Sequence, residues 1–107
     1  MNLIAMIRRQ KMWSLNTFGP GPRLGGILKH IRKELVEVEE SPTDVSEWID
    51  VAILALDGAW RSGATAEQIA EAWDRKQTKN ENRVWPDWRL STEDHPIEHD
   101  RTHDEKN

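Results

Sequence analysis

Between residues 2 and 16, Leu3, Ile4, Ile7, Met12 and Leu15 recur at a loosely helical spacing, while Arg8, Arg9 and Lys11 lie off that stripe. The pattern predicts a first amphipathic helix. Phe18-Gly-Pro-Gly-Pro22 ends it as a tight, rigid loop, because two prolines and two glycines cannot be accommodated in a helix interior. From Arg23 to Glu40 the positions Ile27, Leu28, Ile31, Leu35 and Val38 follow the 3.6 period and define one apolar face of a second helix. Gly25 and Gly26, near its start, leave room for another backbone or a ligand to approach. At 100° per residue His30, Glu34 and Glu37 fall along one flank of that face, whereas Arg32, Lys33, Glu39 and Glu40 form a solvated side.

The third helix reads from Pro42 to about Arg61, with Ser41 as N-cap, Pro42 at the first helical position and Asp44 completing a capping-box-like pattern. After its first turns it is apolar almost all round: Val45, Trp48, Ile49, Val51, Ile53, Leu54, Leu56 and Trp60. Such a helix is central to a core or is covered by a partner subunit. Ser62-Gly63 predicts its end, and Thr65 with Gln68 forms a capping box for a fourth helix. That helix runs to about Asn82 with Ile69, Ala70, Ala72 and Trp73 inward and a basic end, Arg75, Lys76, Lys79 and Arg83. Trp85-Pro86-Asp87-Trp88 stops it, and residues 91–107 are polar without an apolar period. No strand-like alternation is long enough to matter. The expected architecture is therefore all-α: a four-helix bundle over residues 1–90, completed by oligomerisation, plus an acidic tail over 91–107.

At 107 residues the chain is one domain with a modest core. It has no cysteine, so neither a disulfide framework nor a thiolate metal site is available. The opening MNLIAMIRRQ has too short an apolar run for a secretory signal or a membrane span, and the expected location is the cytoplasm. The net charge of −4 resides entirely in the tail, since residues 1–90 hold 13 acidic and 13 basic side chains. A neutral body gives no reason to expect nucleic acid as a partner.

Candidate chemistry concentrates in ELVEVEESPTDVSEWID, residues 34–50. Glu34-x-x-Glu37 and Glu47-x-x-Asp50 each place two carboxylates on one helix face, and a short link makes the two helices antiparallel neighbours. Four hard oxygen donors in one small space repel one another unless a cation lies between them, and oxygen-only ligation suits Mg2+ or Mn2+. Glu47, Asp50, Asp57 and Arg61 also share a narrow stripe on the otherwise apolar third helix. Asp57 and Arg61, at i and i+4, explain each other as an ion pair; Glu47 and Asp50 have no such partner.

Glu-x-x-Glu followed by Glu-x-x-Asp, with Lys76-x-x-x-Asn80-x-x-Arg83 and Trp85-Pro86 downstream, resembles the MazG-like all-α nucleoside triphosphate pyrophosphohydrolases. The run from Trp13 to Gly21, and then HIRKELVEVEESPTDVSEWIDVAILALDGAWRSG, looks like the phage dATP/dGTP pyrophosphohydrolase branch. Within it the chain most resembles the MazZ type, from phages whose DNA carries 2-aminoadenine. The resemblance covers residues 13–89. It implies hydrolysis of (d)GTP to (d)GMP and pyrophosphate, or of a broader purine or house-cleaning set. It implies metal ligation by Glu34, Glu37, Glu47 and Asp50, phosphate contacts from Lys76, Asn80 and Arg83, and assembly as a dimer or tetramer. Of the carboxylates, Glu37 and then Glu34 are the candidate proton acceptors. Trp13, Asn16 and Phe18 are candidates for holding a purine by stacking and by an amide hydrogen bond.

Rival readings come from other classes. A ferritin-like di-iron bundle needs Glu-x-x-His pairs, whereas His30 precedes Glu34 in the reverse order. A non-catalytic helical interaction module leaves Glu47 and Asp50 unexplained. His95, His99 and His103, four apart in the tail, form a third candidate as metal ligands, against which stands Pro96.

Overall fold

The computed structural model describes residues 1–99, and among these there are four α-helices, one 3-10 turn and no strand. They are α1 (Leu3–Phe18), α2 (Leu24–Glu40), α3 (Val45–Arg61) and α4 (Ala66–Glu81), followed by the turn Trp88–Leu90. None of the helices is long and apolar enough to cross a membrane. The chain divides into two compact units, Met1–Glu71 and Ala72–Asn107, with the boundary inside α4.

Within the first unit α2 and α1 both pack against α3. Ile7, Trp60 and Ile69 form the centre of its core, joined by Leu3, Leu56 and Ala59. The loop after α1 is rigid for the reason its composition suggests: Gly19 and Gly21 take φ of +80° and +97°, values an L side chain rarely adopts. Arg61 then ties it to α3, its Nη1 donating to the carbonyls of Gly19 and Gly21, both at 2.9 Å. The predicted capping box is present as a reciprocal pair, Gln68 N–H to Thr65 Oγ1 and Thr65 N–H to Gln68 Oε1.

Several details depart from the sequence reading. α3 starts at Val45, not Pro42, because Asp44 is the N-cap: its Oδ1 accepts from the Ser46 amide at 3.0 Å. Asp is as good a cap as Ser and stands three residues before Glu47, so the link between α2 and α3 is four residues, 41–44. On α2 the buried stripe is Ile27, Glu34 and Val38, while Leu28 and Leu35 are exposed. Glu34 therefore sits in the middle of the packed face rather than on its flank. On α1 only Ile7 of the expected stripe is fully buried, together with Ser14, whereas Met12 is exposed. On α4 Ala72 and Trp73 are exposed. No described side chain lies within 4 Å of where a Cβ on Gly25 or Gly26 would stand.

α3 is the most unusual element. Its buried residues are Asp57, Trp60 and Arg61, while Val45, Trp48 and Ile49 are half or more exposed. Charged groups face the interior of the unit, and much of the apolar surface faces away from it.

Candidate functional site

α2 and α3 bring three carboxylates together. One ligand oxygen from each of Glu34, Glu37 and Glu47 lies within 4.8 Å of the others. Asp50, one turn beyond Glu47, is not in this set, but its charge reaches Glu47 and it lines the adjoining cavity. Burial, and then the negative charges of Glu37, Asp44 and Asp50, push the Glu47 carboxyl above its ordinary pKa. Among the described residues neither Oε2 of Glu34 nor Oε2 of Glu47 has a hydrogen-bond partner, although both atoms are buried. Buried polar oxygens without partners are rare in proteins. Converging carboxylates, two orphaned oxygens and an all-oxygen donor set fit a hard divalent cation. The remaining oxygen of Glu34, Oε1, is held by His30, whose Nε2 donates to it at 3.1 Å. Such a bond would orient Glu34 were it to hold a cation.

Glu34 also lines a cavity of about 250 Å³ between α1, α2 and α3. Trp13 and Phe18 form its aromatic side, Ile53 and Leu54 its aliphatic side, and Gln10, Ser14 and Asp57 contribute polar groups. The two aromatic rings meet edge to face, with centroids 5.4 Å apart and planes at 86°. Asn16 lies on α1 between them, is exposed, and does not line the cavity.

The polar groups of the cavity belong to a network that sequence reasoning recovered only in part. The predicted Asp57–Arg61 pair is present, Nε to Oδ2 at 2.9 Å, and buried. Gln10 joins it by donating Nε2–H to Asp57 Oδ1 while accepting from Trp60 Nε1, and Ser14 Oγ accepts from Arg61 Nη2. Burial alone would raise the Asp57 pKa. Hydrogen bonds from Ser14, Gln10 and Arg61, with the Arg61 charge, outweigh it and hold the carboxyl below its ordinary value. Gln10 and Ser14 were missed because an isolated amide and a hydroxyl on an amphipathic helix carry no signal by type. Their four-residue spacing was the only clue.

Lys76, Asn80 and Arg83 lie in the second unit. Arg83 follows the end of α4 and donates from Nη1 to Asn80 Oδ1 at 3.0 Å, while the Asn80 carbonyl accepts from Trp85 Nε1. Of the tail histidines, His95 hydrogen-bonds Thr92 and His99 packs edge to face on Trp85; His103 lies outside the described residues.

A family described as dATP/dGTP pyrophosphohydrolase matches residues 6–104. A protein of Salmonella phage PMBT28 named dATP/dGTP diphosphohydrolase is 38% identical over 91 residues, which are 84% of this chain and 30% of that relative. The chain thus spans about a third of the length of the relative it matches. No solved structure matches. Since the match runs through both acidic helices and on past Arg83, the chain belongs to the dATP/dGTP pyrophosphohydrolase family.

Proposed function

We propose that the protein hydrolyses purine deoxynucleoside triphosphates to the monophosphate and pyrophosphate, with dGTP and GTP preferred. Glu34, Glu37, Glu47 and Asp50 would hold Mg2+ or Mn2+. The observation that carries this reading is that Glu34 belongs both to the carboxylate cluster and to the wall of the aromatic cavity. A group bound at the cluster can therefore continue into the cavity, as the phosphates and base of one nucleotide would.

A bound divalent cation supplies charge neutralisation and Lewis-acid polarisation of the phosphate. Glu37 accepts the proton of the attacking water, and Glu34, oriented by His30, shares that task. Water adds across the α–β phosphoanhydride, the bond to the bridging oxygen breaks, and that oxygen leaves with the pyrophosphate. Lys76, Asn80 and Arg83 are the groups for the phosphates, where positive charge helps most as the bond breaks. Trp13 and Phe18 offer faces or edges to a purine opposite the aliphatic side of the cavity.

In an infected cell, where the MazZ-type reading places the reaction in the host cytoplasm, the dGMP formed would feed 2-aminoadenine nucleotide synthesis and dGTP would be depleted. The family description names both purines, which favours a second reading, a dATP/dGTP enzyme without strong preference between the two. The active form is expected to be a dimer or tetramer.

The test is a panel of triphosphates with Mg2+ or Mn2+, with pyrophosphate and orthophosphate measured separately. Pyrophosphate from purine deoxynucleotides is expected. Orthophosphate as the first product would overturn the reaction, and equal turnover of dCTP, dTTP and dGTP would overturn the purine preference.

A further inference from the structure

Arg23 is the one described residue other than glycine with a positive φ, +47°. It occupies the N-cap of α2 in a left-handed conformation and makes no side-chain capping hydrogen bond. An arginine gains nothing from that backbone, and Gly or Asn would adopt it with less strain. Strained positions that persist cluster at functional sites. The Arg23 guanidinium has no hydrogen bond or ion pair among the described residues. Arg23 lines a second cavity, about 120 Å³, which shares Phe18, His30, Leu54 and Asp57 with the aromatic one. Arg23, exposed and with its guanidinium unpaired among the described residues, thus borders a cavity that adjoins the aromatic one at Phe18.

Its distance from the carboxylates decides which part of a nucleotide it meets. Arg23 and Glu34 are separated on α2 by about 16 Å along the helix axis. With phosphates held at Glu34, Glu37 and Glu47, that separation puts Arg23 at the base end of the ligand.

We propose that Arg23 discriminates guanine from adenine by donating two hydrogen bonds to N7 and O6 of a purine seated against Phe18. The proposal rests on the cavity being the base pocket of the reaction above. Guanine presents two adjacent acceptors on that edge, which match a planar guanidinium, whereas adenine replaces one of them with an amine that faces donor against donor. A bidentate pair of this kind discriminates by about 10- to 100-fold.

The experiment compares wild type, Arg23→Lys and Arg23→Gly on dGTP, dITP, dATP and the triphosphate of 2-aminoadenine deoxynucleoside. Gly suits the left-handed backbone, so the variant is expected to melt no lower than wild type, which separates loss of the side chain from loss of fold. Inosine keeps N7 and O6 but lacks the 2-amino group, so dITP should track dGTP; 2-aminoadenine has the 6-amine and should track dATP. Arg23→Gly should lower kcat/KM for dGTP and dITP by about 10- to 100-fold, mainly through KM, and leave the other two unchanged or raised as the donor–donor clash is removed. Arg23→Lys, which keeps the charge but not the fork, should lose most of the same preference. An equal loss on all four substrates, or retention of guanine preference in either variant, overturns the proposal while leaving the reaction standing. Absence of pyrophosphate from wild type with every substrate overturns the reaction and this proposal with it.

Discussion

At the scale of single residues, opposed charge effects at the two ends of α3 make separable predictions. Glu47 is raised above its ordinary pKa by burial and by its acidic neighbours. Its ionised form therefore weakens the metal-free protein at neutral pH, and that penalty is relieved as pH falls through the raised pKa. Glu47→Gln and Glu34→Gln are expected to lower turnover by more than about 100-fold, beyond the 10- to 100-fold typical of a group that merely supports a ligand. Both should raise or preserve the melting temperature without metal and abolish any upward shift on adding Mn2+. Calorimetry with and without Mn2+ checks this, and a full metal-induced shift in either variant would remove the carboxylates from the metal site. Asp57 runs the other way. Its folded pKa is held below the ordinary value, so its contribution is complete above about pH 4 and is lost as pH falls through the depressed folded pKa. Asp57→Asn leaves the buried Arg61 guanidinium without its counter-charge and should cost about 3–5 kcal/mol near neutral pH. The loss should shrink toward pH 2, as read by denaturant unfolding across the range.

At the scale of elements, the boundaries show what local sequence encodes. The Thr65–Gln68 box and the glycine-proline loop were legible because capping and φ restrictions act within a few residues. The start of α3 was misread because Ser41 and Asp44 are both good caps, and the choice fell to the one followed by Glu47 at the third helical position. Thr65→Ala is therefore expected to cost about 1 kcal/mol. Asp44→Ala should lower the denaturation midpoint more than Ser41→Ala, and the reverse order would restore the earlier helix start. Three of the four expected carboxylates, Glu34, Glu37 and Glu47, do converge, because i and i+3 spacing fixes a face whatever the packing, while Asp50 stands outside that set. What periodicity could not show is that Glu34 lies within the buried stripe and Leu28 and Leu35 outside it. A helical wheel reports an apolar arc, and tertiary packing selects the part of that arc which is covered. The cavity was half legible: Trp13 and Phe18 announce themselves by type, but Gln10 and Ser14, and Arg23 at the adjoining cavity, acquire meaning only once α1, α2 and α3 are assembled.

At the scale of the whole molecule, α3 directs Asp57 and Arg61 inward while leaving Val45 72%, Trp48 54% and Ile49 50% exposed. On α2, Leu35 is 50% and Val36 52% exposed. Scattered apolar residues on a surface are ordinary, but five large ones at least half exposed on two adjoining helices of one small unit leave apolar surface of the kind that interfaces cover. Full burial of a Val, Leu or Ile side chain is worth about 1.5–3 kcal/mol before the cost of association is met, so covering this group supplies a driving force for self-association. The neutral balance of residues 1–90 adds no net repulsion to association. The protein is therefore expected to be a dimer or tetramer by light scattering, and to remain so when truncated after Leu90, with turnover retained. Ile49→Glu is the sharper probe. In a two-fold interface one substitution acts twice, placing two like charges where apolar surface should meet, whereas in a monomer an exposed glutamate on a helix is nearly neutral for stability. Dissociation of Ile49→Glu with its helical circular dichroism intact is the expected result; a wild-type protein that scatters as a monomer at micromolar concentration would leave the outward face of α3 without a role in assembly.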